Sequence, residues 1–279
     1  MTELLIVTNG FKETWHAIEY GTQLAQSMRI KIALLGLTEK LNPAAIDDHH
    51  PLEDIFEKAV SLFNDKGVDY SLEVQNGEAE HVLPERANSG DYIVVISPLG
   101  RSQLKRWLRG RSLRLLMERI TNPILYVPEA RWPLKKMLIC IGGLGYAETT
   151  EELSFQIAGA NKASVTIMHV IPPTDLDYPT TKKVHEHMDD LVETDTVQGR
   201  NLKKGLDNAD RYGLTVTAIV RQGNIVDEIL LEVGSGDYDM VCMGSPYSAH
   251  ALRQLYTPNV TAETAEALRC PVLTARYQA

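Results

Sequence analysis

The chain has little cysteine: three residues in 279, at Cys140, Cys242 and Cys270. The number is odd and no C-x-x-C spacing occurs, so neither a disulfide framework nor a thiolate metal knuckle is indicated. Cys140 and Cys242 lie inside apolar runs and Cys270 just precedes one, which reads as small buried hydrophobes in a reducing, cytoplasmic setting. No apolar run approaches the ~18 residues of a membrane span. The opening "MTELLIVTNG" has neither a basic leader nor a long apolar core, so no signal peptide is expected. Positive charge is short as well. Lys and Arg number 28 against 37 Asp and Glu, and the net charge of −9 argues against general binding to nucleic acid or to an anionic membrane. There is no G-x-x-x-x-G-K-[ST], which excludes a P-loop enzyme, and no G-x-S-x-G elbow, so no hydrolase triad is indicated. "IGGLGYAE" has Gly142, Gly143 and Gly145 but lacks the last glycine of a dinucleotide fingerprint.

What the chain does have is a repeat. "TELLIVTNG" opens the protein and "KKMLICIGG" follows 133 residues later. Each is a short continuous apolar run ending in glycine, the pattern of a strand buried on both faces in a parallel sheet. Helix-length segments come next, "ETWHAIEYGTQLAQSM" and "TTEELSFQIAGANK", and then second apolar runs, "IKIALLGL" and "SVTIMHVI". The match continues through Gly77 with Gly223, through "SGDY" at 89–92 and 235–238, and through "ERITNPILYVP" with "EALRCPVLTAR". Each half thus reads β-α-β-α-β-α-β-α-β, which implies right-handed crossovers and a doubly wound parallel sheet. A length of 279 residues with 44% apolar content suits two modest cores. The boundary is expected in "PEARWPLKK", residues 128–136, giving domains of 1–131 and 132–279.

Against the acidic background stands "GRSQLKRWLRGRS", residues 100–112, with five basic residues and no acid. It follows the fourth strand of the first half, in a loop that begins at Ser97. In open α/β folds the loops after strands one and four face the ligand crevice. Gly100 and Gly110 let backbone N–H groups approach an anion, and the helix that follows presents free N–H groups and the positive end of its dipole. Ser112 can cap that helix or donate to a phosphate, and Arg101 and Arg111 beside the glycines can add charge-assisted contacts. The segment reads as a phosphate cradle; the plainer alternative is a solvated basic loop.

On these residues the chain resembles a tandem universal stress protein, two such domains covering nearly its whole length. Members of that family carry G-x2-G-x9-G-[ST] after the fourth strand and an Asp-Gly-Ser-like turn after the first. The resemblance implies two tandem Rossmann-like α/β domains, each a five-stranded parallel sheet of order 3-2-1-4-5 with flanking helices. It implies ATP or a related adenine nucleotide as ligand, with Mg2+, and pairing of fifth strands, made inside the chain as a pseudo-dimer or in a homodimer. In the first half Gly100 and Gly110 match the second and third glycines. Ser97 stands at the first, Arg111 at the Ser/Thr position, and Ser112 one step later. Thr8, Asn9 and Gly10 take the place of the strand-one turn, and Leu37 stands where the family contacts the base. The second half departs further. Gly244 keeps the first glycine, but Tyr247 and Thr257-Pro258 replace the others, and Gly142-Gly143 replace the strand-one turn. It is read as lacking the ordinary nucleotide site.

Two polar clusters remain, "DDHHP" at 47–51 and "VHEHMDD" at 184–190, the latter with His185, His187, Asp189 and Asp190. Histidines two apart on a helix point to different faces, so both clusters read as solvated segments ahead of metal sites. His169, within "TIMHVI", reads as a satisfied core or crevice histidine rather than a catalytic base. The expected function is that of a stress-response regulatory protein. It binds an adenine nucleotide through its first half, signals to a protein partner not identified by the sequence, and lacks efficient catalysis. The alternatives are a protein-interaction scaffold without nucleotide, or a slow ATPase.

Overall fold

The computed structural model describes residues 2–38, 51–99, 112–141, 148–171, 193–195, 197–244 and 260–276. The chain divides into two compact units, Met1–Trp132 with Arg269–Pro271, and Pro133–Leu268 with Val272–Ala279.

In the first unit the elements are β1 (Glu3–Thr8), α1 (Trp15–Met28), β2 (Ile32–Thr38), α2 (Pro51–Lys66), β3 (Tyr70–Asn76), α3 (Ala79–Ala87), β4 (Tyr92–Ile96), α4 (Ser112–Arg119) and β5 (Ile124–Tyr126). A short 3-10 turn, Lys12–Thr14, precedes α1, so the first helix opens tighter than its sequence suggests. The strand order is β3-β2-β1-β4-β5 and every pairing is parallel. Leu4, Leu5, Ile6 and Val7 of the central strand are wholly buried, because helices cover both faces. On one of those faces α2 rests directly on β2. At Gly36 a Cβ would stand 2.8 Å from Cζ of Phe56, so glycine is what lets the helix close down there.

The second unit repeats the plan with β6 (Lys136–Cys140), α5 (Glu148–Asn161), β7 (Ser164–Ile171), α6 (Val197–Arg211), β8 (Val216–Gln222), α7 (Ile225–Gly236), β9 (Met240–Gly244), α8 (Val260–Ala267) and β10 (Val272–Ala275). Its order is β8-β7-β6-β9-β10, again all parallel. The shared glycines have one job. Gly77 and Gly223 hold φ values of 144° and 159° and donate their N–H groups to Thr38 O and Ile171 O, both at 3.1 Å, as the edge strand leaves the sheet.

Each edge strand is tied to the helix that follows it by an ion pair. In the first unit Arg86 of α3 donates through Nε and Nη2 to Glu73 of β3, at 2.8 and 2.7 Å, and lies 4.7 Å from the centre of the Tyr92 ring. The hydrogen bonds from Arg86 hold the Glu73 carboxyl below its ordinary range. A carboxylate whose folded pKa is depressed adds stability at neutral pH and loses it as the pH falls through that pKa. Urea denaturation of Arg86→Ala against the parent chain should therefore show a gap at pH 7 that narrows as the pH falls below about 4.3, the free-glutamate value. A gap independent of pH would mean that the pair contributes through packing alone.

Candidate functional site

In each unit the strand order reverses beside the first strand, between β1 and β4 and between β6 and β9. The two crossovers leave such a point in opposite directions and open a crevice at the carboxyl ends of the strands. In the first unit β1 and β4 pair from Glu3 with Tyr92 to Ile6 with Val95. Two residues further on, Thr8 comes level with Ser97, and both chains turn out of the sheet.

Thr8 is fully buried and organises its turn through hydroxyl groups. Thr14 Oγ1 donates to Phe11 O at 2.6 Å. Its single proton is thereby used, so in the 2.6 Å contact between the two threonines Thr8 is the donor. Thr8 Oγ1 then accepts from the N–H of Gly10 at 3.2 Å, where the backbone turns with φ of 84°. The chain of bonds fixes the Thr8-Asn9-Gly10 corner and couples it to the start of α1. Asn9 is itself buried at that corner, and Phe11 beyond it stands exposed.

Ser97 is also buried, and its hydroxyl donates to Val127 O at 2.7 Å. It pins the end of β4 to the end of β5, where Val127 N–H also donates to Ile96 O at 2.7 Å. Its side chain therefore anchors the start of the basic loop from below. Leu37 is fully buried in β2, one residue beyond Gly36 and on the opposite face from α2. Ser112 is the first residue of α4. Gly100, Arg101, Gly110 and Arg111 lie outside the described residues. Thr14 is the participant that sequence reading misses. Its signal is a hydroxyl residue in the turn into a helix, a common capping pattern.

The second crevice is built differently. Gly142-Gly143, Tyr247, Thr257 and Pro258 lie outside the described residues, as do the clusters at 47–50 and 184–190. Among the described residues no group of three or more His, Cys, Asp or Glu side chains is placed to hold a metal ion. At the end of β9, Gly244 O accepts from Thr261 Oγ1 at 3.1 Å. His169 of β7 occupies the place that Gly36 holds in β2, since Gly77 and Gly223 bond to corresponding strand ends. Where the first unit leaves room for Phe56, the second inserts an imidazole. His169 is buried, its Nδ1 lies 3.0 Å from Ile141 O, and only a protonated Nδ1 can bond to a carbonyl. Burial pushes its pKa below the ordinary histidine value, against the opposing effect of the Ile141 carbonyl.

Two measurements check these arrangements. Thr8→Val keeps the shape but removes the acceptor of Gly10 and the donor to Thr14. It should cost ~1–3 kcal/mol in urea denaturation, as expected for a buried polar group left without its partner. For His169, an imidazole disfavoured as a cation in the folded chain makes the unfolded chain bind more protons below about 6.5. Stability should be intact above that pH and should fall as the pH drops towards the depressed folded pKa. An NMR titration should find His169 below the ordinary value; a normal or raised pKa would contradict this account of its surroundings.

Three comparisons bear on the whole chain. The model of the Universal stress protein family matches residues 133–276, just over half of its length. A universal stress protein from Archaeoglobus fulgidus DSM 4304 superposes with a TM-score of 0.67 at 14% identity, over 99% of this chain and 96% of that one. A functionally unknown protein from Pseudomonas aeruginosa PAO1 gives 0.64 at 15% identity, over 99% of this chain and 92% of that one. Among curated proteins none matches. The structural likenesses carry the fold: two five-stranded α/β units in tandem, each with the same strand order. The match to the family model establishes that the chain belongs to the universal stress protein family.

Proposed function

We propose that the first unit binds ATP or a related adenine nucleotide at the carboxyl ends of β1 and β4, and that the chain acts as a stress-response regulator through that binding, without efficient catalysis. The observation that carries this reading is the reversal of strand order beside Thr8 and Ser97, with the basic glycine-spaced loop starting from that point. Gly100, Gly110 and Ser112 would supply backbone and hydroxyl donors to the phosphates, and Arg101 and Arg111 charge-assisted contacts. Thr8, Asn9 and Gly10 would form the facing wall, Leu37 the apolar floor beneath the base, and Ser97 the anchor of the loop.

The residues fit a nucleotide better than they fit a metal. Asn9 brings an amide where a carboxylate would add charge, so a Mg2+ ion would be held chiefly by the phosphates themselves. In the second unit Tyr247 and Pro258 replace glycine donors, and proline has no N–H to give, so one nucleotide per chain is expected.

Isothermal titration with ATP should give at most one site per chain. Nucleotide carried through purification should appear as absorbance at 260 nm after denaturation. Loss of a charge-assisted phosphate contact in Arg111→Ala should weaken binding ~10- to 100-fold. Lys105→Ala, midway between the two glycines in sequence, should change it little. Two equivalent sites per chain would overturn the reading of the second unit, and tighter binding by Arg111→Ser would overturn the role given to Arg111. Absence of any nucleotide binding would leave the chain a protein-interaction scaffold.

A further inference from the structure

We propose that β3 is a self-association edge, pairing antiparallel with β3 of a second copy of the chain so that Leu72 faces Leu72. The strand is bonded on one side only. Asp69 O accepts from Ile32 N–H at 2.9 Å and Gly77 N–H donates to Thr38 O at 3.1 Å, so the odd-numbered residues direct their backbone groups towards β2. By alternation, Tyr70, Leu72, Val74 and Asn76 direct theirs away from the sheet. Among the described strands β3 pairs with β2 alone. It runs seven residues, YSLEVQN, with no lysine, proline or bulge, the devices by which proteins blunt such an edge.

The side chains on the outward-bonding residues are apolar and open to water. Leu72 is 43% exposed and Val74 58%. Both lie on the face that carries α2, since Val74 is in register with Gly36, the residue beneath Phe56. In β8, the corresponding strand of the second unit, Val216, Ala218 and Val220 are half-buried.

Charge selects both the partner and the register. Outward-bonding residues must meet outward-bonding residues, which leaves, besides a pairing centred on Val74 that sets Leu72 against the polar Asn76, two well-overlapped antiparallel pairings of β3 with itself. One centres on Glu73 and crowds two Glu73–Arg86 ion pairs face to face, like charge against like charge, which is unfavourable. The other centres on Leu72. It pairs Leu72 with Leu72, sets Val74 against Tyr70, and places Glu73 opposite Ser71, so the strand is complementary to its own copy. Space allows it too. Two β2 strands would lie three strand spacings apart, about 14 Å. That admits two α2 helices, each ~10–12 Å across.

The test uses the full chain. Sedimentation or light scattering over a dilution series should show a concentration-dependent dimer. Leu72→Lys puts like charges directly opposite and should weaken association ~10-fold or more, with circular dichroism unchanged at this exposed position. Leu72→Cys should form a disulfide-linked dimer under mild oxidation, and Val74→Cys, which faces Tyr70, should not. A parent chain that stays monomeric at ~100 μM, a Kd within the range of weak specific pairs, would overturn the proposal. So would a dimer indifferent to Leu72→Lys, or a Leu72→Cys chain that fails to cross-link while the parent dimerises.

Discussion

Parallel pairing of the first strand with both its neighbours is the constraint from which the rest of each unit follows. A parallel pair cannot be closed by a tight turn; each return must cross a face of the sheet. The crossovers therefore bury β1 and β6 on both sides, which is why Leu4 to Val7 and Met137 to Ile139 carry nothing but apolar side chains. Because the chain first winds outward through β2 and β3 and then returns to β4 on the other side, the two crossovers diverge beside β1. The crevice is a consequence of winding. Helix placement creates it, and the residues at the strand ends decide what it can hold.

The edges of the two units solve one problem with opposite charges. In the first, the arginine is on the helix and the carboxylate on the strand, Arg86 with Glu73. In the second the order is exchanged: Glu232 on α7 accepts from Arg221 of β8 at 2.8 Å and from the Tyr238 hydroxyl at 2.8 Å. Burial alone would raise the Glu232 pKa, and these bonds with Arg221 and Tyr238 outweigh it. The tyrosines of the repeated SGDY, Tyr92 and Tyr238, each support a cation on the ring face, Arg86 at 4.7 Å and Lys136 at 4.4 Å. Burial lifts the Tyr238 hydroxyl to about 12, so it stays a donor across the working pH range. What the repeat preserves is a helix-to-edge ion pair beside an aromatic ring; the sign of each member is free to change.

This division explains what could be read from the sequence. The buried strands were legible because their apolar runs are too short for helices and are bounded by turn residues: "LLIV", "IALLGL" and "YIVVI". The edge strand β3 shows the two-residue alternation of a half-buried strand, Leu72 and Val74 with Glu73 and Gln75, and the recurring Gly77 and Gly223 mark where β3 and β8 end. At the site, sequence spacing could pair Thr8 with a turn but could not see that Thr14 completes it, because that bond depends on where the 3-10 turn returns the chain. Nor could it tell that the Ser97 hydroxyl faces inward to Val127, thirty residues away in sequence. Ser97 stands at a glycine position of the family pattern, and in the fold its hydroxyl is an anchor.

Family membership and ligand chemistry are written in different residues. The family model matches the second unit, 133–276, whereas Gly100 and Gly110, the glycines proposed to face phosphate, stand in the first. The two statements do not compete. A family pattern is dominated by the apolar strands and helix faces that any member needs in order to fold, and those are intact in β6, β7 and β9. A ligand site depends on a few donors at strand ends, and such residues can be exchanged without disturbing the core. His169 marks a place where the packing of the two units differs. It takes the place of a glycine that in the first unit admits a phenyl ring, and its bond to Ile141 O holds the end of β6 to β7. The second unit thus keeps the fold while turning the end of its first strand to internal bonding.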